Sequence, residues 1–190
     1  LCVTRARRFG KSVAVKMLNA YYDKSCDSRD LFKGLSICKD EDFEKHLNHF
    51  PVLYLDMTDF VTKYGKDERI VDYIKRDICE ELLGLYEGVV MKANDDLMDL
   101  LVSIVDHTGE KFIWDALCRE GQEKQMDEYV DLLRRLFKGS MTEYVFACCY
   151  MTGILPIKRY NTQSALNNFD EYTMLSPAQL APYFGFTEKE

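Results

Sequence analysis

Arg5-Ala6-Arg7-Arg8-Phe9-Gly10-Lys11-Ser12 lies between a short apolar run, Leu1-Cys2-Val3, and a segment of helical character over residues 13–22. The spacing is that of a phosphate-binding loop, GxxxxGK[ST] between a strand and a helix, with Arg5 standing where the first Gly belongs. Gly10 lets the backbone approach an anion with no Cβ in the way, and the N–H groups opening the next helix point at that anion. Lys11 places a compact positive charge on the β and γ phosphates, and the Ser12 hydroxyl is an oxygen ligand of the kind Mg²⁺ prefers. Arg7, Arg8 and Phe9 complete the turn. The alternative is a surface Gly-Lys-Ser turn with basic neighbours.

Around that loop, composition narrows the function classes. The chain has 190 residues, 47% hydrophobic and 13% aromatic, enough for a single domain over 1–190 with a substantial core. It carries 25 basic and 32 acidic residues, a net charge of -7, so nothing draws it as a whole to nucleic acid or an anionic membrane. The basic charge is local, with Arg5, Arg7, Arg8, Lys11 and Lys16 together near the start, which suits a polyphosphate better than a polymer. No apolar run approaches the roughly 18 residues of a membrane span, and nothing at the start reads as a signal peptide. The seven cysteines show no CxxC or other zinc spacing and are expected to be reduced, mostly buried thiols of a cytoplasmic protein. Opening on Leu inside a strand, the sequence reads as a piece of a longer chain.

Hydrophobic periodicity orders the rest. Residues 1–4 read as a buried strand, and 13–22 as a helix with Val13, Met17, Ala20 and Tyr21 on its apolar face. A turn of helix and a loop fill 26–38, and a charged helix is expected over 40–50, stopped by Pro51. Residues 51–60 (PVLYLDMTDF) are the clearest strand, whose continuous apolar run is that of a parallel strand buried on both faces. Asp56 ends that run, either as a metal-holding carboxylate or as a cap on the next turn with Thr58 and Asp59. Amphipathic helices follow over 67–86 (Ile70, Val71, Ile74, Ile78, Leu82, Leu85), 95–107 (Leu97, Leu100, Leu101, Ile104, Val105) and 124–138 (Met126, Tyr129, Val130, Leu133, Leu136, Phe137). A second strong strand covers 144–151 and exits at Thr152-Gly153, where the hydroxyl either touches a γ-phosphate or belongs to a plain strand-exit turn. Phe169, Tyr172, Leu180, Tyr183 and Phe186 supply packing in a polar final segment.

Strands alternating with helices behind a phosphate loop imply an α/β P-loop NTPase sandwich, a mostly parallel central sheet flanked by helices. Ligands of such sheets sit at the carboxyl ends of the strands, where Thr4-Arg5, Asp56, Trp114-Asp115 and Thr152 are expected to gather.

TRARRFGKS (4–12), LNAYYDKSCDSRDLFKGL (18–35), VLYLDMTDF (52–60), YMTGILPIKRYNTQSALNNFDEYTM (150–174) and LAPYFGFTEKE (180–190) resemble the predicted AAA-ATPase-like family of bacteria. The resemblance covers essentially the whole chain and is most specific in TGILPIK (152–158) and SALNNF (164–169). It implies a P-loop NTPase domain using ATP and Mg²⁺, in chains that often continue into a C-terminal nuclease-like region. By position, Gly10, Lys11 and Ser12 match the family's phosphate loop, Arg5, Arg7 and Arg8 its arginine-rich first half, and Thr152 the polar position that senses the γ-phosphate. Ala6 replaces the family's usual Pro. Asp56 falls on the strand before the Walker B strand, which weakens a metal role for it.

One departure bears on the chemistry. Family members resemble one another in an apolar run ending Asp-Glu-Trp-Asp, whose first Asp holds Mg²⁺ and whose Glu orients the attacking water. Here Phe112-Ile113 runs directly into Trp114-Asp115. A central strand needs roughly 4 to 8 residues, so a true deletion here would damage the sheet as well as the chemistry, which favours the view that the intact protein has residues this sequence lacks. Two readings follow. Either the intact protein has residues that this sequence lacks and hydrolyses ATP, or the chain is a pseudo-ATPase, a nucleotide-binding regulatory or interaction module that controls an attached nuclease-like region or a partner. In the first, Lys11 and Thr152 are the catalytic candidates, Ser12 is the metal ligand, and Arg159 is a candidate finger in a homo-oligomer. Direct nucleic-acid binding is disfavoured by the charge.

Overall fold

The computed structural model describes residues 1–4, 10–65, 69–88, 96–117, 123–153 and 170–173, with side chains in the sixth helix described from residue 128 onward. Five strands, β1 (Cys2–Thr4), β2 (Val52–Asp56), β3 (Phe112–Leu117), β4 (Phe146–Gly153) and β5 (Glu171–Tyr172), form one sheet in the order β2-β3-β4-β1-β5. Every pairing in it is parallel. The expected α/β sandwich with a parallel sheet is therefore what the chain forms, because parallel neighbours need crossover helices that cover both faces.

On one face lie α4 (Ile70–Leu85), α5 (Leu97–Thr108) and α6 (Glu123–Phe137). Their apolar stripes close on Leu55, Phe112, Trp114, Ala116 and Met151 as the main core. Each aliphatic side chain buried there contributes about 1.5–3 kcal/mol. All five stripe residues expected in α5 are buried, as are Ile70, Val71, Ile74, Ile78 and Leu82 of α4. Leu85, expected with them, is 71% exposed, since it stands in the last turn beyond the edge of the core. Gly109, in the left-handed region at φ 73°, ends α5 by donating its N–H to the Val105 carbonyl at 2.8 Å.

The other face carries α1 (Lys11–Tyr22). Val15 packs on Val3 and Tyr150, with Leu18 and Tyr172 at the margin. This corrects the helix face read from sequence. Val13 is 61% and Met17 44% exposed, and the covered side includes Lys11, Val15 and Tyr21. Four apolar residues at helical spacing define a stripe, but the side of α1 that packs on Val3 and Tyr150 is the neighbouring one through Val15. Under the end of α1, Tyr21, Phe32, Phe43 and Leu47 form a small aromatic cluster.

Three further boundaries differ from expectation. The helix anticipated over 40–50 is only a turn, α2 (Phe43–His46), ended near Asn48, whose φ is 57°. The strand anticipated over 51–60 stops at Asp56, and α3 (Met57–Tyr64) begins at the next residue. The strand expected from 144 begins at Phe146, because residues 142–145 form the short α7 (Thr142–Val145). The cysteines are not mostly buried either, with Cys26, Cys38 and Cys148 exposed.

The largest correction concerns β3. It is a full six-residue strand, buried at every position, that continues through Trp114, Asp115, Ala116 and Leu117. The shortened run therefore does not damage the sheet, because those residues carry the strand past Ile113, and the sheet no longer calls for missing residues. Trp114 meets Phe137 and Phe146 at ring-centroid distances of 5.5 and 6.1 Å, both edge-on. The consequence is positional. Trp114 and Asp115, expected at the carboxyl edge, lie within the strand.

Candidate functional site

The site is built where β1 ends and α1 begins. Gly10 is the residue before α1, at φ 73° and ψ 5°, and its carbonyl accepts the N–H groups of Val13 at 3.0 Å and Ala14 at 2.9 Å. A Cβ built on Gly10 meets nothing within 4 Å, so the backbone conformation, not crowding, calls for glycine. The next residue, Lys11, is buried, whereas Ser12 is exposed. The first turn of α1 contains this lysine and no acidic residue. A cation at a helix N-terminus opposes the helix dipole, an arrangement that favours an added anion.

The strand ends beside this junction form one row. Asp56 pairs with Leu117, Leu117 with Thr152, and Thr152 with Val3. Matched residues of a parallel sheet point to the same face, so all four face the α1 side. Among the residues expected at that edge, the structure brings Thr4, Asp56 and Thr152 to it. Arg5, Arg7, Arg8, Phe9 and Arg159 lie outside the described residues.

Each member of the row has a definite chemistry. The Asp56 carboxylate accepts the Thr58 N–H at 2.8 Å and so caps α3. Of the two roles read from sequence, the cap is the one the geometry shows. Leu117 is 3% exposed and offers no polar atom. Thr152 is 1% exposed, and its hydroxyl donates to the Val3 carbonyl at 2.7 Å.

Asp115 is the residue that sequence reasoning misplaced. It pairs with Tyr54 on one side and Tyr150 on the other, two residues before Leu117 and hence roughly 7 Å back from the strand end. It is fully buried, and neither carboxylate oxygen has a hydrogen-bond partner among the described residues. Burial alone raises its pKa from 3.8 to about 7. The signal for this placement was faint: an apolar run F-I-W-D-A-L reads as broken at the Asp unless the strand is allowed to bury it.

A cleft of about 480 Å³ opens beside β2, lined by Val52, Tyr54, Leu82 and Tyr86 among others, but neither Lys11, Ser12 nor Thr152 borders it. Among the described residues no helix is long and apolar enough to cross a membrane.

What the donors can hold follows from their types. Gly10, Lys11 and Ser12 fit the phosphates of a nucleotide, and the Ser12 hydroxyl fits one coordination place of Mg²⁺. Among the described residues of the strand row, the carboxylates are Asp56, whose Oδ1 caps α3, and Asp115, which is set back inside the sheet. In comparisons with known proteins, a family model described as "Predicted AAA-ATPase" matches residues 1–162. No curated protein and no solved structure matches.

Proposed function

The chain belongs to the predicted AAA-ATPase family, and from that premise we propose that the β1–α1 junction is a nucleotide-phosphate site that binds ATP or ADP and, as this chain stands, does not turn ATP over. The family implies a nucleotide and, usually, Mg²⁺. In this reading Lys11 neutralises phosphate charge, backbone N–H groups near Gly10 cradle the phosphates, Arg7 and Arg8 add positive charge, and Ser12 gives Mg²⁺ one oxygen.

The observation that carries the absence of turnover is Leu117. Phosphoryl transfer to water depends on a carboxylate that holds the metal and a group that orients the water. The β3 end, two strands from β1, presents a buried leucine in that row. Hydrolysis belongs, on this account, to family members that keep the Asp-Glu pair. The chain then acts as a nucleotide-responsive regulatory or interaction module, within a homo-oligomer or toward an attached nuclease-like region.

Calorimetric titration with Mg-ADP and Mg-ATP, followed by a phosphate-release assay, tests the reading. Saturable binding that raises the melting temperature, with no phosphate released above the buffer rate, is the expected result. Absence of binding removes the site assignment. Turnover abolished by Lys11→Ala removes the argument from Leu117.

A further inference from the structure

We propose that Thr152 is a positioning residue for the phosphate loop, fixing the end of β1 from which the loop departs and serving nucleoside diphosphates and triphosphates alike. The inference rests on the nucleotide-binding reading above and assigns Thr152 a role other than sensing the γ-phosphate.

A threonine hydroxyl has a single proton to donate. In Thr152 that proton is directed at the carbonyl of Val3, at 2.7 Å, across 149 positions of sequence. Both residues are almost wholly buried, at 1% and 0% exposure, and they are register partners across β4 and β1. Rotating the hydroxyl toward a phosphate breaks that buried bond, so the one proton serves either the strand or a ligand.

The anchored carbonyl matters because of where it lies. Val3 is followed by Thr4, the last residue of β1, and then in sequence by the phosphate-loop motif. Val15 of α1 packs on Val3 and Tyr150 from above, so the bond ties β1, β4 and the loop's helix into one unit. A phosphate loop binds well only when its N–H groups are held in place before the ligand arrives. Loosening β1 therefore weakens contacts to every phosphate, whereas loss of a γ-phosphate sensor weakens only those of the triphosphate.

Thr152→Val keeps the shape and removes the hydroxyl, and Thr152→Ser keeps the hydroxyl. Titrating wild type and both variants with Mg-ADP and Mg-ATP separates the possibilities. The proposal expects Thr152→Val to lose between about threefold and tenfold in affinity for both nucleotides, with the ATP/ADP ratio unchanged, and Thr152→Ser to recover most of it. A loss confined to ATP overturns the proposal and makes Thr152 a γ-phosphate reader. Unchanged affinities for both, even with a lowered melting temperature, overturn it as well and leave the hydroxyl a purely structural tie. Failure of the wild type to bind either nucleotide overturns the nucleotide reading itself, and this inference with it.

Discussion

Leu117, the last residue of β3, pairs with Thr152, so the strand next to β4 ends in an apolar side chain one row short of the end of β1. If that residue is core and not chemistry, Leu117→Ala costs about 2–4 kcal/mol of stability through the cavity it leaves. Nucleotide affinity, measured well below the melting temperature, stays within about twofold (~0.4 kcal/mol) of wild type. Denaturant unfolding and calorimetry check the two halves separately. A large loss of affinity in a folded variant would mean that the strand end touches the ligand.

Asp56 gives the complementary case, a carboxylate at a strand end that serves the backbone. Asp56→Ala removes the acceptor of the Thr58 N–H and is expected to destabilise the fold by about 1 kcal/mol. Asp56→Asn retains most of the cap. Neither variant alters the affinity for Mg-ADP, and a drop in Mg²⁺ dependence with Asp56→Asn is the outcome that would restore a metal role.

Asp115 sets a pH dependence whose sign is fixed by its direction of shift. Its carboxyl is raised from 3.8 to about 7 in the folded chain by burial, so between those values the native state holds a proton that the unfolded chain has released. Stability on this account is greatest below about pH 4 as far as this group is concerned, declines as pH rises toward 7, and above that carries the full penalty of a buried charge that has no partner among the described residues, a few kcal/mol. Asp115→Asn removes the titration. Unfolding free energies at pH 5 and pH 8 should therefore differ less in Asp115→Asn than in wild type, with the variant relatively more stable at pH 8. Equal pH responses in the two proteins would place Asp115 in a solvated or paired setting.

Gly10 tests the loop's backbone. At φ 73°, alanine is strained although space is open, so Gly10→Ala should cost about 1 kcal/mol and weaken nucleotide binding, while Gly10→Asn, which tolerates the left-handed region better, costs less. Equal stability for all three would mean that the turn is not held in that conformation in solution.

Much of this architecture was legible because periodicity and burial agree. The five apolar residues of α5 and the first five of α4 face the core as their spacing requires. The parallel sheet followed from alternation behind a phosphate loop, with β1 and β2 marked by short continuous apolar runs. What escaped were features decided by tertiary context. The cap at Asp56 was legible, but not that the chain turns helical at once, since the apolar residues Met57 and Phe60 prolong the look of a strand to 60. The covered side of α1 depended on which residues meet Val3 and Tyr150 across the sheet. Trp114 and Asp115 were read as a strand exit because an aspartate seldom enters a buried strand, yet the apolar pair Ala116 and Leu117 carries the strand two residues further. In the site itself, the glycine, lysine and serine types were readable from the motif. The use of Thr152's proton was not, since it depends on a carbonyl at the far end of the sequence.

The most direct measurement is the affinity of wild type and Lys11→Ala for Mg-ATP, by calorimetry on proteins shown to be folded. The account predicts saturable binding by the wild type and a loss of at least about tenfold in the variant, because the buried ammonium at the start of α1 is the principal cation described at the phosphate site. Equal affinities in the two proteins would contradict it and move nucleotide binding away from the β1–α1 junction.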